Sequence, residues 1–175
     1  MAKLVLVNHW SPGIGNNKPP LGLGYLASYL KKYLDFDDIA IVNTGHKTFE
    51  KIRQANPEVV GFTAYTAGYY DVLQLIARVK QELGVPVLIG GPHITCLPHK
   101  LPDQADIGVI GEGEQTLLEL MRLYLDRGGF DVTGLQQIKG IIYRQAGQLV
   151  LTPPREPIVP LDTIPLPDRE LLSIH

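Results

Sequence analysis

The stretch Pro57–Gly91 reads PEVVGFTAYTAGYYDVLQLIARVKQELGVPVLIGG, and it decides the fold. Its middle, Tyr69–Gly84, carries Val72, Ile76, Val79 and Leu83 at helical spacing and stops on a glycine. Short apolar runs flank that helix, EVVGFT (Glu58–Thr63) and VPVLIGG (Val85–Gly91), and both read as strands. Strand, helix and strand in so short a span form a βαβ unit, which joins parallel strands by a right-handed crossover.

The same alternation continues on both sides. KLVLVN (Lys3–Asn8) is apolar and rich in β-branched residues, as a strand buried on both faces should be. A helix follows, with Leu23, Leu26, Leu30 and Tyr33 on one face and Pro20 near its first position. IAIVN (Ile39–Asn43) is the second strand, and TFEKIRQAN is a short helix stopped before Pro57. DIGVIG (Asp106–Gly111) is the fifth strand, and EQTLLELMRLYLDRGG (Glu114–Gly129) is a helix ended by its glycines. The linker PHITCLPHKLPDQA has three prolines, which argue against a full helix. The expectation for residues 1–135 is an α/β fold of flavodoxin-like (Rossmann-like) type. It is a three-layer, doubly wound, parallel five-stranded sheet in the order 2-1-3-4-5.

Beyond Gly129 the pattern changes. GIIYRQAGQLVLT (Gly140–Thr152) reads as a β-hairpin, giving a unit at 136–152. Residues 153–175 contain six prolines in 23 positions and read as an extended linker toward further chain.

Composition narrows the function. With 45% hydrophobic and 19% charged residues, the chain can build a core and is not disordered. A net charge of −2 with scattered basic residues disfavours nucleic acid as a partner. Cys96 is the single cysteine, so internal disulfides are excluded and a reduced, cytoplasmic setting is inferred. There is no apolar run of membrane-spanning length and no signal-peptide layout, so no membrane role is expected.

In an open parallel sheet, ligands bind beyond the carboxyl ends of the strands. Four glycine- and hydroxyl-rich loops meet that rule: Asn8–Pro20, Thr63–Gly68, Gly90–Leu101 and Gly111–Glu114. The first contains Gly13-x-Gly15, but the following NNKPP spoils both the dinucleotide fingerprint and the phosphate-loop pattern. Thr63 and Thr66 could cap the next helix or contact a ligand. Glu114 suits a helix N-terminus, whereas Glu112 has no such simple role. His93, Cys96 and His99 are spaced by three, yet no fourth zinc ligand lies nearby, so a polar loop is the better reading. His9 and His46 follow strands and read as surface residues, and no nucleophile–base arrangement emerges.

Four motifs occur in one order: PPLGLGYLASYL, PEVVGFTAYT, VLIGGPHITCLP and ADIGVIGEGEQTLLEL, followed by GIIYRQAGQLVLTPPREPIVPLDTIPLPDRELL. Together they resemble the N-terminal cobalamin-binding domain of B12-dependent radical SAM enzymes. The resemblance implies that Gly22, Leu23, Gly24 and Tyr25 face the corrin. Thr63, Ala64, Tyr65 and Thr66 would line the nucleotide-tail pocket. Gly90, Gly91, Pro92 and His93 would flank that tail, and Gly111, Glu112 and Gly113 would close the rim. A bulky residue at Gly91 is then expected to block cobalamin and spare the fold.

The wider cobalamin-binding fold ligates cobalt through the His of D-x-H-x-x-G. Here the first loop reads NHWSPG, so the resemblance implies base-off binding with the lower cobalt face empty or water-bound. One cysteine cannot hold a 4Fe–4S cluster, so cluster and S-adenosylmethionine would belong to a C-terminal radical SAM domain absent from this chain. The parent would be a methyltransferase or a rearrangement or cyclase enzyme, and this chain would not be catalytic alone. The alternative is a stand-alone flavodoxin-like binding or regulatory domain for a flavin, a nucleotide or a protein partner. A response regulator is disfavoured, because VNHW stands where paired acids would be needed.

Overall fold

The computed structural model describes residues 3–10 and 18–172. Gly13 and Gly15 of the long first loop lie outside the described residues. The chain runs β1 (Leu4–His9), α1 (Leu21–Leu34), β2 (Ile39–Thr44), α2 (Thr48–Gln54), β3 (Val59–Thr63), α3 (Tyr69–Leu83) and β4 (Val87–Gly90). It continues through α4 (Pro92–Cys96), β5 (Ile107–Val109), α5 (Glu114–Arg127), α6 (Val132–Leu135), β6 (Ile141–Gln145) and β7 (Gln148–Leu151). The linker with three prolines yields only the short α4 and a single 3-10 turn at Pro98–Lys100.

The sheet order is β2-β1-β3-β4-β5-β6-β7, and β1 to β5 are parallel in the expected 2-1-3-4-5 arrangement. Side chains alternate across each strand, so two cores form. Leu4, Leu6, Leu88 and Ile107 pack against α1 and α5 on one face. Val5, Val7, Val60 and Ile89 pack against α2 and α3 on the other. These buried runs explain why the strands read as continuously apolar.

Two features differ from the sequence reading in placement. The hairpin is not a separate unit: β6 pairs antiparallel with β5, and Ile141, Ile142 and Tyr143 are buried. Pairing there covers an edge that β5 would otherwise expose. The Pro-rich segment is extended, as its composition requires, but it docks as a strap over α5 and α1. Arg155 donates to Thr116 Oγ1 at 2.8 Å and pairs with Glu119 on α5. On α1, Tyr33 Oη donates to the Thr163 carbonyl at 2.7 Å, and Lys31 pairs with Asp168 at 2.7 Å. Burial pushes the Asp168 carboxyl up, but the Leu171 N–H and Lys31 outweigh it and hold its pKa below the usual value. Among the described residues, no helix is long and apolar enough to cross a membrane.

Candidate functional site

A cavity of about 380 Å³ opens at the carboxyl ends of the parallel strands, between the sheet and the α1/α5 layer. Its size lies within the roughly 300–1,000 Å³ usual for ligand pockets. Leu6, Gly61 and Leu88 are register partners on β1, β3 and β4, and they form its floor. Leu23 and Leu26 of α1 and Leu117 of α5 are its walls. Gly61 is a notch in the floor: a Cβ there would stand 3.0 Å from Leu6 Cδ2. A glycine inside a central strand costs stability, and it often marks a place where a ligand or another backbone comes close.

Ten of the fifteen residues expected at a site line this cavity. Gly22 is exposed at the mouth with nothing near its Cβ position, while Leu23 is buried beside it. Thr63 ends β3 and Tyr65 follows it, while Gly90 ends β4 and Gly91 and Pro92 follow it. Gly111, Glu112 and Gly113 complete the rim ahead of α5. Gly111 has φ +76, and its Cβ position is open. Glu112 Oε2 accepts from the Ile158 N–H at 3.1 Å, so this rim residue also anchors the strap.

The other five lie elsewhere. Gly24 faces the strap, where a Cβ would meet Leu172 Cδ1 at 2.6 Å and Pro167 Cβ at 3.1 Å. Its missing side chain makes room for the returning chain rather than for a ligand. Tyr25 sits on the neighbouring helix position, off the cavity. Ala64 is fully buried in the α3-side core, and its peptide bonds Gly90 and His93. His93 stacks on Tyr69 with centroids 3.8 Å apart, and its Nδ1 lies 3.1 Å from Thr66 Oγ1. His93 and Thr66 therefore latch the loops after β3 and β4 together, behind the cavity.

The sequence reading missed the floor and every wall residue but Leu23. Leu26 and Leu117 carry no distinguishing signal, because a wall leucine and a core leucine look alike. Gly61 did carry one, a lone glycine within an apolar strand. Pro19 and Pro20 also line the mouth.

Lining side chains that ionise include Glu112 and Glu114, and among the described residues no Lys, Arg or His lines the cavity. Burial raises the Glu114 pKa, and the charge of Glu112 adds to it, while backbone N–H groups of Glu114 and Gly113 oppose the rise. A raised folded pKa means that the folded state holds the proton more tightly. Its contribution to stability therefore falls as pH climbs from the ordinary value of 4.5 through the folded value. Glu114→Gln should gain stability relative to the parent across that window, measured by urea denaturation at stepped pH. A stability difference that is constant with pH would show that the carboxylate is not desolvated.

His9 lies on the opposite sheet face, where its Nδ1 is 2.9 Å from Thr48 Oγ1. His93, Cys96 and His99 form no metal-holding group, and none of three or more such side chains occurs among the described residues.

Residues 14–121 match the family model described as B12 binding domain. The chain is 35% identical over 169 residues to an uncharacterized methyltransferase of Pyrococcus horikoshii, covering 92% of this chain and 36% of that protein. It is 33% identical over 181 residues to an anaerobic magnesium-protoporphyrin IX monomethyl ester cyclase of Rubrivivax gelatinosus, covering 95% and 32% respectively. The cyclase of the same name from Cereibacter sphaeroides is 31% identical over 169 residues, covering 90% and 27%. The chain thus spans about a third of the length of these curated relatives.

Proposed function

Because the chain belongs to the B12-binding domain family, we propose that it is a cobalamin-holding module of a larger enzyme, with the cofactor at the strand-end cavity. One observation carries this reading. The cavity is an apolar slot with a glycine notch in its floor, rimmed by carboxylates and, among the described residues, free of basic side chains. A flavin phosphate or a nucleotide polyphosphate would find no charge partner among the lining side chains. The periphery of cobalamin is mostly neutral amides, and a carboxylate accepts hydrogen bonds from these.

The residues divide the work by depth. The floor around Gly61 would receive the benzimidazole base of the nucleotide tail by apolar contact. Thr63, Gly90 and Gly91 would flank the tail where it leaves the slot. Gly22 and Gly111, whose Cβ positions are open, would let the broad corrin lie close to the backbone. His9 is held to Thr48 on the far face, which supports a lower cobalt face without a histidine ligand. When bound, cobalamin would supply a reactive cobalt–carbon bond for methyl transfer or radical chemistry, while the chain's own residues hold and orient it.

The parent protein is proposed to be a radical SAM enzyme. Its C-terminal domain would carry the 4Fe–4S cluster and S-adenosylmethionine, and its reaction would be a methylation or a cyclisation. The strap supports this arrangement. The Asp168 N–H donates to the Gly24 carbonyl, and Leu172 packs on Gly24, one turn from the cavity mouth. A domain following Leu172 would begin beside the cofactor.

Titration with hydroxocobalamin should shift the corrin absorption bands, and the cofactor should stay with the protein through gel filtration. A parallel titration with FMN should give no retention. Retention of FMN without cobalamin uptake would overturn the proposal.

A further inference from the structure

We infer that the site selects corrinoids by the chemistry of their lower base, taking benzimidazole and phenolic bases over purines. This rests on the reading that the cavity floor receives that base.

Among the described residues, the floor offers no hydrogen-bond partner. Leu6, Leu88, Leu23, Leu26 and Leu117 surround the Gly61 notch, and none carries a polar side-chain atom. The backbone is also occupied. β3 lies between β1 and β4 and pairs with both, so the peptide groups around Gly61 are committed to the sheet ladders. The polar side chains of the cavity stand at its mouth. Thr63 ends β3, Tyr65 and Glu112 sit in strand-end loops, and Glu114 begins α5.

A base-off benzimidazole brings one uncommitted ring nitrogen into such a floor. A phenolic base brings none. Adenine brings two further ring nitrogens and an exocyclic amine. Each polar atom buried without a partner forfeits its hydrogen bond to water. The order of affinity should therefore follow the count of unpaired polar atoms, with the purine last.

The test is a set of equilibrium titrations of the apo chain, followed by corrin absorbance and by retention on a desalting column. The ligands are cobalamin, a cresolyl cobamide, an adeninyl cobamide and cobinamide, which lacks the nucleotide tail. The cresolyl form should bind at least as tightly as cobalamin, and the adeninyl form should bind at least about tenfold more weakly than cobalamin. Cobinamide should also bind more weakly than cobalamin. Equal affinity for the adeninyl and benzimidazolyl forms would overturn the selectivity while leaving the cobalamin reading intact. Cobinamide binding as tightly as cobalamin would remove the base from the floor, and the inference with it. Failure of all four to bind would overturn the cobalamin reading itself.

Discussion

Gly61→Val is expected to lower cobalamin affinity at least about a hundredfold, or by roughly 2.7 kcal/mol, and to leave the fold intact. The site has one central floor position without a side chain, and Leu6 and Leu88 bracket it in register. Valine would place three carbons in the slot where the base is proposed to lie. The fold should tolerate them. The single atom near the Cβ position is Leu6 Cδ2 at 3.0 Å, the far end of a flexible side chain. A β-branched residue also suits a central strand better than glycine does. The melting temperature should therefore hold or rise while corrin retention is lost. Cobinamide supplies the internal control, because it has no base to collide with the new side chain and should bind the variant and the parent alike. Full cobalamin affinity in a folded Gly61→Val protein would move the base out of the floor.

Much of the fold was legible because its signals are local. Val72, Ile76 and Val79 mark one helix face by spacing alone, and all three are buried. The strands announce themselves as apolar runs because both sheet faces are covered. The placements that the sequence hid are those set by distant residues. Nothing near Gly140–Thr152 says that β5 ends the parallel sheet and needs an antiparallel neighbour. Nothing near Gly24 says that Leu172 will return to pack on it, so a glycine beside Gly22 invites the same explanation as Gly22. The rim was legible for a related reason: glycines and hydroxyls at strand ends have few uses other than a turn or a ligand. Of the walls only Leu23 was expected, beside Gly22, since Leu26 and Leu117 follow ordinary helical spacing. His93 shows the limit most clearly. A loop histidine after a strand reads as exposed or ligating, yet it is buried through its stack on Tyr69 and its contact with Thr66, both on another segment.

Gly91→Ala is expected to cost roughly 2–4 kcal/mol of folding stability, which at this chain length lowers Tm by roughly 5–15 °C. Two effects add. The residue has φ +94, a region that side chains rarely adopt. A Cβ would also meet Thr63 Oγ1 at 2.7 Å, the Ala64 carbonyl oxygen at 2.9 Å and the Ala64 nitrogen at 3.0 Å. The hydroxyl could rotate away, but the Ala64 peptide groups cannot yield so easily. The Ala64 N–H donates to the Gly90 carbonyl at 2.8 Å, and the Ala64 carbonyl accepts from the His93 N–H at 3.1 Å. Shifting that segment breaks the join between the loops after β3 and β4. This corrects the expectation that a larger residue at 91 blocks the site and spares the fold. Lost cobalamin uptake in a Gly91 variant would follow from a displaced loop as readily as from a filled site, so only thermal or urea denaturation reads this position cleanly. An unchanged Tm for Gly91→Ala would mean that the two loops are not locked as described, and the latch formed by Thr66 and His93 would then have no rigid partner to hold.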